Sequence, residues 1–110
     1  MIQTPITLID YLGNIADGSF IATNGLPVLG LNMAQGLIYS DRDVVFKIKQ
    51  GINEQVGGFL YRHVREIDVT AGEGKLIEFP ICGKYLSLEI ENSSGAVAYV
   101  EAFFSARAFE

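Results

Sequence analysis

The chain has 110 residues, 49% apolar and 19% charged, with 13 acidic against 8 basic side chains and a net charge of −5. That length fits one domain, and the composition excludes disorder for the bulk of it. The acidic balance argues against nucleic acid as a partner, because a phosphate-backbone reader needs the opposite sign.

Cys82 and His63 are the only residues of their types, which excludes an intrachain disulfide, a multi-thiolate metal site and any two-histidine arrangement within the chain. Charge is also unevenly distributed. Residues 1–40 carry Asp10 and Asp17 and no Lys or Arg, while all 8 bases and the remaining acids lie beyond. Yet this charge-poor segment is rich in Ile, Leu, Phe and Tyr. An exposed surface needs interspersed charge for solubility, so the segment is expected to be covered, either by the rest of the chain or by another chain.

In chain order, Leu8, Tyr11, Leu12 and Ile15 fall at i, i+3, i+4 and i+7, which predicts a short helix over 7–15. Gly13 would cost that helix about 1 kcal/mol relative to Ala. Short strands are expected at 19–22 and 37–40, with turn chemistry at 23–27 between them. Val44, Phe46 and Ile48 alternate with Val45, Lys47 and Lys49, giving a strand. Further strands are expected at 59–64, after Gly57-Gly58, and at 67–70, before a turn at 71–74. Ile77, Phe79 and Ile81 form one face of the next strand, and Pro80 places it at an edge or a bend. Residues 85–91 alternate strictly and are followed by Asn92-Ser93-Ser94-Gly95 and a last run over 96–104, which together read as a β-hairpin. Six to eight short strands imply an all-β fold, an antiparallel β-sandwich or jelly-roll-like barrel with a less regular N-terminal segment. Residues 1–110 form a single domain in this reading, with a charge-poor arm or interface segment over 1–40 and a β-sandwich core over 41–110.

The last strand is apolar on both faces. Ala98, Val100, Ala102 and Phe104 form one, and Val97, Tyr99 and Phe103 with Glu101 form the other. A half-solvated antiparallel strand shows a polar face, so something is expected to pack on the second one. No apolar run approaches the roughly 20 residues of a membrane-spanning helix, and the start of the chain lacks the basic residues of a secretory leader.

Chemistry-bearing residues are sparse. His63 and Glu66 have the His-x-x-Glu spacing of two metal ligands on a helix, but their surroundings read as strand. Cys82 with His63 has the residue types of a nucleophile and base, without a surrounding thiol-protease signature. Asp41 and Asp43 flank Arg42 in a loop too poor in oxygen donors for calcium. Glu89, Glu91 and Glu101 lie on the predicted hairpin, where an outward polar face explains them, and a sandwich of 110 residues with no Trp makes a poor glycosidase. Residues 71–75 fail the phosphate-loop pattern at Val69 and Leu76. Asn92-Ser93-Ser94 matches a glycosylation sequon. No catalytic residue, cofactor or metal site is assigned.

With its Gly-punctuated short strands, the turn at 71–74, the long last strand at 96–104 and the charge-poor segment 1–40, the chain resembles small virion structural proteins of tailed phages, of the decoration, cement or head–tail accessory type. The resemblance implies a non-enzymatic β-sandwich located in a virion. Such a protein forms homo-oligomers, as trimers or other cyclic forms, or binds a lattice of major capsid protein; composition and the lack of a long apolar run separately argue against nucleic acid and membrane as partners. The interface expected from the residues comprises Ile6, Leu8, Leu12, Phe20, Leu29, Leu31, Val97, Tyr99 and Phe103. The alternative is a small carbohydrate- or ligand-binding module using Tyr61, Tyr85 or Tyr99 as a platform.

Overall fold

A computed structural model describes residues 5–55 and 58–108. Residues 1–4 of the charge-poor segment, and Gly57 of the predicted turn, lie outside the described residues. The described chain is all-β. In order the strands are β1 (Ile6–Ile15), β2 (Ser19–Pro27), β3 (Met33–Ser40), β4 (Val44–Gly51), β5 (Asn53–Gln55), β6 (Gly58–Leu60), β7 (His63–Val69), β8 (Gly74–Pro80), β9 (Tyr85–Asn92) and β10 (Ala98–Arg107).

Pairing follows one rule. Gln55 faces Gly58 in β5–β6, Val44 faces Val69 in β4–β7, and Met33 faces Pro80 in β3–β8. Ser19 faces Asn92 in β2–β9, and Ile6 faces Ala106 in β1–β10. The chain is thus one long antiparallel hairpin, its rungs nested about nearly the same midpoint. Rolling this hairpin up adds the pairs β10–β3 and β4–β9 and makes two four-stranded sheets, β1-β10-β3-β8 and β2-β9-β4-β7. Eight strands crossing between two sheets at every step except β4 to β7, which pair within one sheet, form a jelly roll, in agreement with the expected fold class.

Inward-facing residues of both sheets make one core. Phe46 of β4 and Phe104 of β10 stack across it at 4.8 Å, both fully buried. Gly36 of β3 admits this stack, because a Cβ there would lie 2.6 Å from the Phe104 ring and 2.1 Å from the Phe103 carbonyl oxygen.

Several expectations are corrected. Residues 7–15 are strand β1. A register shift between Thr7 and Ile9 turns both Leu8 and Ile9 inward, and this break in the period of two produced the helix-like spacing. Residues 23–27 belong to β2 and contain a second bulge, with Gly25 at φ +69°. The Thr23 hydroxyl takes up the Leu88 backbone N–H at 3.2 Å beside that bulge. Residues 85–104 are not a hairpin: β9 and β10 lie in different sheets. The crossing between them is held by Asn92, which is fully buried. Its amide nitrogen donates to the carbonyls of Ile15 at 2.8 Å and Ala96 at 2.7 Å, and its oxygen accepts from the Ser94 N–H at 3.0 Å and hydroxyl at 2.7 Å. A side chain so engaged is no glycosylation acceptor in the folded chain. The first forty residues supply three strands and such core residues as Leu8, Ile15, Val28 and Ile38, so the described part of the segment is no detached arm. Pro80 ends β8, which is an edge strand as expected.

Phe104→Ala should lower unfolding free energy by about 3–5 kcal/mol, read from urea denaturation. Asn92→Ala, which removes the amide's bonds to the Ile15 carbonyl and the Ser94 N–H at the crossing, should cost about 1–3 kcal/mol in the same assay.

Candidate functional site

With both inner faces consumed by the core, chemistry and recognition are left to the outer faces, and these two differ. On β2-β9-β4-β7 the outward Lys47 and Lys49 of β4 meet the outward Glu89 and Glu91 of β9. Lys47 meets Glu91 at 2.8 Å, Glu89 at 3.6 Å and Glu66 at 3.7 Å, and Lys49 meets Glu89 at 3.3 Å. Glu89 is buried beneath the two lysines. The hydrogen bond to Glu91 raises the Lys47 pKa above its ordinary 10.5. Loss of hydration opposes the shift, while the charges of Glu91, Glu89 and Glu66 add to it. A raised lysine pKa stabilises the folded state while the group is protonated, so this contribution is complete below about pH 10.5 and fades as the pH climbs further.

The outer face of β1-β10-β3-β8 is apolar along its middle. Register places Leu76 of β8 beside Leu37 of β3, Leu37 beside Phe103 of β10, and Phe103 beside Asp10 of β1. The adjoining row carries Tyr39, Glu101 and Leu12. Leu76 is 83% exposed, Leu12 70%, Phe103 49% and Leu37 47%. Shallow grooves run on either side of Phe103, one toward Leu12 and Tyr39 and one toward Leu76 and Ile77. Glu101 is turned along its own strand, where it accepts a 2.7 Å hydrogen bond from the Tyr99 hydroxyl. That bond raises the Tyr99 pKa above its ordinary 10.0. These large apolar side chains are aligned across the sheet and left open among the described residues.

The structure sorts the expected interface residues. Leu12, Tyr99 and Phe103 lie on this face. Leu8 is 5% exposed and belongs to the core, and Leu31 packs against the core, so both are occupied within the chain. Ile6 is exposed at the start of β1. Phe20 projects from the opposite sheet beside Glu91, and Leu29 and Val97 are exposed in loops. Leu37 and Leu76 complete the face and were not among the residues singled out. They adjoin only through the β3–β8 pairing, which no local pattern announces. Within that sheet β1 and β3 flank β10 without covering its second face, so among the described residues that face is open.

The other candidates separate. Asp41 accepts the Tyr99 N–H at 2.8 Å and Asp43 the Ala71 N–H at 2.8 Å, so one carboxylate ties its loop to β10 and the other to the turn between β7 and β8. Glu89 and Glu91 sit on the opposite sheet from Glu101. Tyr61 and Tyr85 pack around Phe59, and the Tyr61 hydroxyl accepts the Gly25 N–H at 2.8 Å and donates to Asn24. Tyr99 lies in the other sheet from Tyr85, so the three tyrosines form no common platform. His63 and Cys82 line one cleft without a hydrogen bond between them. Among the described residues, no cluster of three or more His, Cys, Asp or Glu could hold a metal ion, and no helix is long and apolar enough to cross a membrane.

No protein-family profile matches the chain. No curated protein matches it either. Among solved structures it is similar to Bacillus endospore appendages, described as a novel family of disulfide-linked pili. The match has 14% identity and a TM-score of 0.56, and covers 96% of this chain and 84% of that one. At that identity the likeness concerns the fold alone.

Because Leu12 and Leu76 contribute nothing to the core, Leu12→Ser and Leu76→Ser should each change the stability of the isolated chain by no more than about 0.5 kcal/mol in urea denaturation.

Proposed function

We propose that this protein is a non-enzymatic structural subunit that assembles with further copies of itself through the outer face of β1-β10-β3-β8. The observation that carries the reading is the open row Leu76, Leu37 and Phe103, with Leu12 beside it. Burying a fully exposed side chain of this kind is worth about 1.5–3 kcal/mol, and about half that for Leu37 and Phe103, which are half covered already, so a contact closing over all four gains apolar burial that the isolated chain lacks. The contrast with the ion-paired sheet supports the choice of face, since a face made only for solubility would resemble Lys47, Lys49 and their glutamates. Likeness of fold to a pilus subunit supports a structural role.

The same face meeting itself gives a two-fold dimer. Meeting the exposed apolar residues elsewhere, Phe20, Leu29 and Val97, it gives a head-to-tail contact that closes into a ring or continues as a filament. A cyclic oligomer bound to a capsid lattice in a virion, as the phage resemblance implies, would draw on this surface too.

Light scattering at micromolar concentration tests the reading. The wild-type protein should show a defined mass that is a multiple of 12.0 kDa. Leu37→Asp/Leu76→Asp should run as a monomer with an unchanged circular dichroism spectrum. A monodisperse wild-type monomer, or a continuous spread of masses unaffected by the double substitution, would contradict it.

A further inference from the structure

One end of the sandwich is open on the side where the edge strands β7 and β8 face each other, and the residues there have no part in the assembly reading. In β7 the rungs facing Val44 and Phe46 hold Val69 and Ile67, which are buried and half-buried. The rungs of the same parity facing Ile48 and Gln50 hold Arg65 and His63. At these two rungs the core gives way to a cleft of about 500 Å³. Ile48 and Phe79, both buried, form its floor, and Arg62, His63 and Arg65, all exposed, stand at its mouth.

The wall opposite is held rigidly. Gln50 accepts the backbone N–H groups of Cys82 at 2.9 Å and Gly83 at 3.1 Å, and its amide nitrogen donates to the Pro80 carbonyl at 2.9 Å. The Gln50 and Gly51 carbonyls accept the N–H groups of Arg62 and Lys84, each at 2.9 Å. A Cβ at Gly83 would lie 2.8 Å from the Gly51 carbonyl oxygen, so the loop packs backbone against backbone. The cleft therefore exists before anything enters it.

Its charge is out of keeping with the rest of the chain. Every charged residue lining it is basic, in a protein with 13 acids and 8 Lys and Arg. Each ion pair among the described residues joins Lys47 or Lys49 to a glutamate, so none engages Arg62, His63 or Arg65. Two guanidinium groups without carboxylate partners over an apolar floor combine the two halves of a site for an amphipathic anion. The planar fork of Arg matches a carboxylate, and the floor takes an apolar tail.

We propose that this cleft binds a small carboxylate with an apolar tail, of the medium-chain fatty-acid class. Arg62 and Arg65 hold the carboxylate, His63 lies beside them, and the tail lies on Ile48 and Phe79. Cys82, the single cysteine of the chain, is exposed on the cleft wall and reports occupancy.

The test uses sodium decanoate below its micelle concentration, with decan-1-ol as the uncharged control. Calorimetry gives affinity, and the rate of Cys82 alkylation by iodoacetamide gives location. Decanoate should bind saturably and slow alkylation. Arg62→Gln/Arg65→Gln should weaken decanoate about tenfold or more while changing decanol binding less than about twofold. Unchanged alkylation at saturating decanoate would place binding elsewhere and overturn the proposal. Equal decanoate affinity in the double variant would overturn it as well, leaving the two arginines as charges that keep the β7 edge from pairing with another chain. Neither outcome bears on the mass measurement that tests assembly.

Discussion

The stack of Phe46 on Phe104 sets the spacing on which the rest of the molecule depends. These two rings, one from each sheet, meet at 4.8 Å, and Leu86, Leu88, Ile90, Val100 and Ile38 close around them without exposure. The absence of a side chain at Gly36 leaves the Phe104 ring its place against β3. Inward-facing positions are thereby used up. An outward Leu or Phe gains nothing from this core, and the proposed contact between copies is what would bury it.

Nesting of the hairpin turns an unevenness along the sequence into an unevenness across the sandwich. The charge-poor β1 and β3 go to one sheet, on either side of β10, while β4 with its two lysines pairs with the glutamates of β9 in the other. One outer face is laced by ion pairs and suited to water. Aligned Leu and Phe side chains mark the other. A shortage of Lys and Arg in the first forty residues first suggested a covered segment. Its inner half is covered by the chain itself, and its outer half contributes Leu12 and Leu37 to the open face.

Much of this was legible before the structure. Strict alternation in β4, β8 and β9 identified strands and their inward residues, because period two survives wherever the ladder is regular. It failed where the ladder is not. The shift at Leu8 made β1 resemble a helix, and the bulge at Gly25 made the second half of β2 resemble a turn. The crossing after β9 was misread for a different reason. Asn-Ser-Ser-Gly turns the chain equally well within a sheet or between sheets, and only the burial of Asn92 beneath Ile15 and Ala96 distinguishes the two. The face itself was half legible. Tyr99 and Phe103 follow from the parity of one strand, but the neighbours Leu37 and Leu76 come from strands far apart in sequence and meet only through long-range pairing.

Hydroxyl-radical footprinting of side chains in dilute and concentrated solution bears most directly on the central claim, that the outer face of β1-β10-β3-β8 is where copies meet. Leu12, Leu37, Leu76 and Phe103 should lose reactivity together as concentration rises, while Val64 on the ion-paired sheet keeps its own. Undiminished reactivity of those four residues in a sample of demonstrably higher mass would contradict the account.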